Sequence, residues 1–312
     1  MIRFGARAAP ADGRRAPYDV LGIPDPGGSK FGSTLWKGMR LCPREHALRQ
    51  LGVRRSSQRG KADEGLDVGW IFHFMLETYY RERMGGANHH VAVDRAYERA
   101  RPFWEEPGYE DIVALLERMC VHYFDVASTD DFTVLGVEEE LVHNEPGDPF
   151  TYSCRLDLFV HSKRLGGLWV VEHKSAKRIT PDIKTGYLLD MQVLGQLWLA
   201  ERIIDFDAYG EPLGGCLVNI TSKDVNVQHE RVHVIASKPH LAEFELSMRA
   251  WAEVGRTFKY LGWPKALGNC VGPAHYFQPC TYFDICHGRP DLTVDGIVES
   301  TLPLGFTLQQ TR

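Results

Sequence analysis

Two short apolar runs, each with charge set inside it, constrain this chain more than any other feature. Arg155 to His161 (RLDLFVH) carries Asp157, and Leu168 to Lys174 (LWVVEHK) carries Glu172 and Lys174. The residues between them end in Gly166-Gly167, a turn signal, so the two runs predict a hairpin. Glu172 and Lys174 lie two apart in a strand and therefore share a face. Fourteen residues separate Asp157 from Glu172, which lets a hairpin bring both carboxylates to one edge. Carboxylates are hard oxygen ligands suited to Mg²⁺ or Mn²⁺, and a neighbouring lysine can orient a water or offset developing charge. An exposed hairpin with a surface ion pair is the alternative. The LWVV run directly before Glu172 favours a buried strand, where a charge needs a partner or a task.

The totals set the frame. A chain of 312 residues with 44% hydrophobic and 25% charged residues fits one large globular domain or two small ones. It contains no apolar run of membrane-spanning length and no signal-peptide core, so no membrane association is expected. Seven cysteines, an odd number, argue against a complete disulfide framework and for reduced thiols in a cytoplasm. The net charge is −5, yet residues 1–60 hold twelve Lys/Arg against four Asp/Glu, a net of +8 that leaves −13 on the rest. A basic segment on an acidic body can track a phosphate backbone; a solubilising basic tail is the other account.

Along the chain, 1–32 is rich in Gly, Pro, Ala and Arg and reads as a flexible basic arm. Residues 33–52 are helical, with Cys42 at a boundary and Pro43 opening a second helix. A helix spans 69–80 (GWIFHFMLETYY), and two more divide 91–127 at Pro102 and the following EEPG. Cys120 falls on an apolar face and reads as core. Phe132 to His143 is strand-like, and alternation puts Leu135, Val137, Glu139 and Leu141 on one face; a solvated acidic run accounts for Glu138 and Glu139 alike. Gly215 to Thr221 is a central strand with Cys216 buried, and Val225 to Ile235 alternates as another. Pro239 to Leu261 is a long amphipathic helix resting on Leu241, Phe244, Leu246, Met248, Trp251 and Val254.

Asp157-x14-Glu172-His173-Lys174 resembles the core of the PD-(D/E)XK nuclease superfamily. Residues 186–202 (GYLLDMQVLGQLWLAER) resemble the helix that follows that core in the RecB-like branch, where a Gln-x-x-x-Tyr motif contacts DNA and the site. Gln192 matches the glutamine, Gln196 stands where the tyrosine is usual, and Cys154 stands where a glycine is usual before the aspartate. Gly69-x-x-x-His73 matches the branch's Gly-x-x-x-His motif, whose histidine helps bind metal. Glu138 follows the branch's usual Val-Glu order, which leaves open whether it or Glu139 contributes. Cys42-Pro43-Arg44 and the late cluster Cys270, Cys280 and Cys286, spaced C-x9-C-x5-C, resemble the one-plus-three cysteine site of the iron–sulfur RecB-like nucleases, among them the CRISPR-associated exonucleases and the AddB nuclease domain.

The resemblance implies an α/β restriction-endonuclease-like fold, a mixed central sheet flanked by helices. A single domain over 33–290 would have its N-terminal helices clasped to the C-terminus by the cysteine site, with 291–312 as a tail. It implies Mg²⁺ or Mn²⁺ on His73, Asp157, Glu172 and the His173 backbone carbonyl, with Asp157, Glu172, Lys174 and Gln192 catalytic. It implies a [4Fe-4S] cluster on Cys42, Cys270, Cys280 and Cys286, with Zn²⁺ as the alternative occupant. Stapling 42 to 270 would stabilise the fold by roughly 5 kcal/mol in the chain-entropy picture. The expected activity is metal-dependent DNA exonuclease cleavage of single-stranded ends in recombination, repair or DNA processing, alongside a protein partner of that pathway, in the cytoplasm of a bacterial, archaeal or phage-infected cell. The alternatives are a catalytically inactive nucleic-acid-binding module and a zinc or iron–sulfur interaction protein.

Overall fold

The computed structural model describes residues 17–21, 29, 31–55, 61–266, 280–289, 291–303 and 306–308. Most of the expected arm, and Cys270 with it, lies outside the described residues. The chain opens with helices α1 (Pro17–Leu21), α2 (Ser33–Leu41) and α3 (Pro43–Gln50), then strand β1 (Val53–Arg55). Cys42 is the extended residue between α2 and α3, at φ −155° and ψ 110°, and Pro43 occupies the first turn of α3, where its missing N–H costs nothing. Three long helices follow: α4 (Lys61–Met84), α5 (His89–Trp104) and α6 (Glu110–Ser128). Pro102 sits in the last turn of α5, and the helix ends just after it, at Trp104.

The sheet comes next, with β2 (Phe132–His143), β3 (Tyr152–Ser162) and β4 (Leu168–Ala176), then α7 (Pro181–Gly186) and α8 (Met191–Ile203), then β5 (Leu213–Ser222) and β6 (His229–Val234). The five strands stand in the order β2-β3-β4-β5-β6. Only the β4–β5 pair is parallel, because α7 and α8 carry the chain back across the sheet between them. Helix α9 (Lys238–Tyr260), the short α10 (Phe283–Gly288) and β7 (Phe306–Leu308) complete the described chain.

Two cores flank the sheet. On one face Val137, Leu158, Val171 and Leu217 meet the apolar sides of α4, α5 and α6. On the other, Leu156, Val170, Val218 and Ile220 meet α8 and α9. The LWVV run of β4 is buried on both sides, as a central strand requires. The molecule is thus an α/β fold with a mixed five-stranded sheet between helical layers.

Four sequence expectations change. Residues 186–202 are not one helix: Asp190 is extended, caps α8 by accepting from the Gln192 N–H at 2.8 Å, and so starts the helix at Met191. Val137 and Leu141 face opposite cores, because Glu138 between them turns left-handed at φ 55°, breaking the alternation. Leu246 is 68% exposed on the outer side of α9, whose buried face is Leu241, Phe244, Met248 and Ala252. The last strand starts at His229 rather than Val225.

The described part of 291–312 packs inward. Phe306 to Leu308 pairs antiparallel with Val53 to Arg55, and Leu292, Ile297 and Phe306 join Leu48, Val53, Cys280, Tyr282 and Ile285 in a third, smaller core.

Candidate metal and active site

The hairpin strands β3 and β4 pair only from His161–Leu168 to Leu158–Val171, and then they part. β4 continues beside β5 as far as Ala176, while β3 continues beside β2. Asp157 and Glu172 are the first residues beyond this fork, so the sheet opens where its acidic groups stand. The fork is held by Asp157, whose Oδ2 accepts the His173 backbone N–H at 2.6 Å. Without that bond the N–H would be an orphan at the point where the ladder ends.

A cleft of about 420 Å³ lies over the fork, and His73, Glu138, Asp157, Glu172, Lys174 and Gln192 all line it. His73 arrives from α4, its Nδ1 3.6 Å from Asp157 Oδ2. Gly69, one turn earlier, lets α4 lie close to the sheet: a Cβ there would stand 3.3 Å from Ser175 Oγ. Glu138 comes from β2, level with Asp157 in the ladder, and its left-handed backbone turns the side chain into the cleft. One donor atom each from His73, Glu138 and Asp157 lies within 4.8 Å of the others. The solvated-run account therefore holds for the exposed Glu139 and fails for Glu138. The signal that could have found Glu138 was its Val-Glu order; strand alternation pointed away from it.

The electrostatics of this group suit a cation. Burial first, then the Glu172 and Glu138 charges, hold the Asp157 carboxyl well above the usual carboxylate range. Burial likewise lifts Glu138 to about 7, with Arg155 opposing at 3.4 Å and Glu77 and Glu172 adding. His73 keeps a third of its side-chain area open to the cleft, yet withdrawal from bulk water pushes it down to about 4, leaving a neutral imidazole donor. Two carboxylates that resist ionising together, beside a neutral imidazole, are a donor set that a divalent ion would satisfy. Oxygen-rich sites of this kind fit Mg²⁺ or Mn²⁺.

Glu172, 1% exposed, stands beside this group with both oxygens engaged. Its Oε1 accepts from Lys174 Nζ and, at 2.7 Å, from Gln192 Nε2; its Oε2 accepts from Gln196 Nε2 at 2.5 Å. Lys174 Nζ also donates to Gln192 Oε1 at 2.9 Å. Burial alone would lower the Lys174 ammonium, but the Glu172 and Asp157 carboxylates outweigh it and raise it, so the group stays a cation. Gln196, in the place where a tyrosine is usual, is fully buried and fixes the carboxylate from behind. Sequence reading gave it no such partner.

His173 faces the other side of the sheet. Its ring stacks on Tyr80 at 5.7 Å, and Nδ1 meets the Tyr123 hydroxyl at 3.3 Å. Asn219 joins Tyr123 to Arg231, which forms a bidentate pair with Asp130 at 2.8 Å. The backbone carbonyl of His173 faces His73. Thus β4 directs Glu172 and Lys174 into the cleft, while the side chain between them is pinned on the opposite face.

The cysteines divide. Cys120, Cys154 and Cys216 are buried in the two large cores. Cys42 and Cys280 are also buried, while Cys286 is half-buried. Burial pushes the Cys280 thiol up to about 12, with Glu45, Cys42 and Cys286 adding to the effect. The described thiols do not close into a group of donor atoms within 4.8 Å of one another, as His73, Glu138 and Asp157 do.

A mixed sheet that forks to present acidic residues and a lysine defines a class of phosphodiester-cleaving fold. The chain belongs to the PD-(D/E)XK nuclease superfamily, whose family model matches residues 37–287. Among solved structures, one described as a candidate exonuclease from Eubacterium rectale superposes with a TM-score of 0.39 at 11% identity, covering 73% of this chain and 81% of its own. A protein designated SSO0001 superposes with a TM-score of 0.31 at 14% identity, covering 82% of this chain and 95% of its own. No curated protein matches the chain by sequence.

Proposed function

We propose that this nuclease is a metal-dependent DNA exonuclease acting on single-stranded ends. The observation that carries the reading is the joining of His73, Glu138 and Asp157 donor atoms in one cleft with Lys174. These three residues would hold Mg²⁺ or Mn²⁺, and Glu172 and the His173 carbonyl border the same position. The ion would supply positive charge to the phosphate and lower the pKa of a bound water.

The chain's own groups do the rest. Lys174, kept protonated by its carboxylate neighbours, acts as a donor that orients the attacking water and meets charge developing on the phosphate. Glu172 and Gln192 fix the position of the Lys174 ammonium from either side. Gln196 locks Glu172 in turn. A [4Fe-4S] cluster, or Zn²⁺, on Cys42, Cys280 and Cys286 with Cys270 belongs to the same reading as a structural clasp. Action in DNA recombination, repair or processing, alongside a partner protein, completes it.

The test is digestion of end-labelled single-stranded DNA with Mn²⁺, comparing anaerobically prepared wild type with Lys174→Ala. Shortening from one end by wild type and none by the variant is expected. Equal digestion by both would remove Lys174 from the site. If neither cuts but both hold DNA, the protein is a binding module.

A further inference from the structure

We infer that the α4 wall of the cleft is a platform for an unpaired nucleobase, built by Trp70 on Phe74 and flanked by Arg99. This rests on the nuclease reading and names the feature that would select a single strand. Trp70, His73, Phe74 and Glu77 recur at helical spacing on one face of α4 and line the same cleft. Most large rings of the adjoining core are buried, including Phe72, Tyr79 and Phe103, but Trp70 is left half-buried at the cleft wall.

Its orientation is fixed. Trp70 lies parallel to Phe74, with ring centres 5.7 Å apart and planes 7° apart. Phe103 and Tyr18 meet it edge-on at 6.3 and 6.4 Å. An indole already immobilised on three sides loses little freedom when a flat partner is added. The exposed Arg99 guanidinium sits 5.2 Å from the Phe74 ring centre and has no carboxylate partner among the described residues. It is a cation free to meet a phosphate. Trp70 and His73 are three residues apart, so ring and candidate metal ligand lie less than one turn, about 5.4 Å, apart along the helix axis.

That places a flat ring, a free cation and the candidate hydrolytic centre within the reach of one nucleotide. Base stacking on aromatics tolerates any sequence, because every base has a π-face. It also requires that the base be unpaired, since in a duplex both faces are covered by neighbours. The ligand class is therefore a single-stranded or frayed DNA end, with its base on Trp70 and an adjacent phosphate at Arg99.

The experiment measures binding of a fluorescent oligothymidylate to the full chain in EDTA, without cleavage. Trp70→Ala should weaken binding about tenfold or more, and Trp70→Phe should retain most of it. An oligonucleotide carrying one abasic position, walked along its length, should lose the same factor against wild type at one register. Against Trp70→Ala it should lose nothing further there. Arg99→Gln should flatten the dependence of log affinity on log salt by about 0.7. The inference falls if the folded Trp70→Ala variant binds as wild type, if the two losses multiply at every register, or if wild type binds no single strand. Cleavage without this coupling would keep the nuclease and discard the platform; coupling without cleavage would do the reverse.

Discussion

Glu138 bears two costs that nothing in its own strand repays. A side chain at φ 55° stands in the left-handed region, at about 1–2 kcal/mol, and its carboxyl is buried against Asp157 and Glu172. Such outliers persist where the surroundings demand them, and here the proposed metal site, with a third donor beside His73 and Asp157, would supply the demand. Glu138→Gln keeps the shape and removes the charge. The folded-state pKa, about 7, lies above the ordinary 4.5, so the native metal-free protein retains a proton that the unfolded chain has released. Between those values the stability due to Glu138 falls as pH rises, and the variant escapes the fall. In EDTA the variant's advantage should be absent below about pH 4 and reach on the order of 3 kcal/mol above pH 7. Urea denaturation at pH 5 and pH 8 reads it; an equal gap at both would dissociate the charge from the cost. Gln196 tests the other half of the site. Gln196→Leu strips a hydrogen bond from a buried carboxylate, so stability should drop by about 1.5–3 kcal/mol. Cleavage should fall about 10- to 100-fold, chiefly in kcat, because Glu172 and through it Lys174 lose their fixed positions. Unchanged kcat in a folded variant would leave Gln196 a packing residue only.

At the scale of elements, the site is made by a hairpin that stops being a hairpin. The sequence shows why the first part was readable: alternation, a Gly-Gly turn and charge inside LWVVEHK put Glu172 and Lys174 on one face of a buried strand beside Asp157. What parity could not show is where β2 breaks it. A left-handed Glu138 reverses the faces of Val137 and Leu141, and the local marks beside it, Gly136 inside the strand and the Val-Glu order, do not say which way the side chain turns. The start of α8 was hidden for a similar reason, since Asp190 reads as one more polar residue until its side chain is seen capping the helix. Helix α2 reaches the same cap, Lys37 Nζ lying 2.9 Å from Asp190 Oδ2. Helix α8 in turn can carry Gln192 and Gln196 to β4 because Gly195 lets it approach β3. A Cβ at that position would stand 2.1 Å from the Tyr152 hydroxyl oxygen, which the buried ring cannot yield. Gly195→Ala should therefore cost about 1–3 kcal/mol and lower cleavage together with stability, as α8 shifts off the sheet. Chemical denaturation beside a cleavage assay reads both; a variant as stable as wild type would mean that α8 has room to move.

For the whole molecule, the question is how the ends of the chain are held to the sheet. Cysteine spacing suggested a single staple, but the described structure adds an apolar one: Leu48 and Val53 from the N-terminal side close over Tyr282, Ile285, Leu292 and Phe306. The three-residue strands β1 and β7 have too little pattern to be read from sequence, and only their pairing makes them strands. Tyr282 donates to the Val53 carbonyl at 3.0 Å, and Arg44 donates to the Leu292 carbonyl. This third core is small beside the two that flank the sheet, and it is the one into which Cys280 is built. The smaller terminal core should therefore open before the sheet does. Cys280→Ser, which removes a thiol from the proposed clasp, should lose its metal or cluster and raise hydrogen exchange across 43–55 and 280–308. The amides of β3, β4 and β5 should keep their protection, because their burial lies in the other two cores. Uniform loss of protection would mean that the ends and the sheet unfold as one unit; unchanged metal content would take Cys280 out of the ligand set and leave the apolar core as the whole of the clasp.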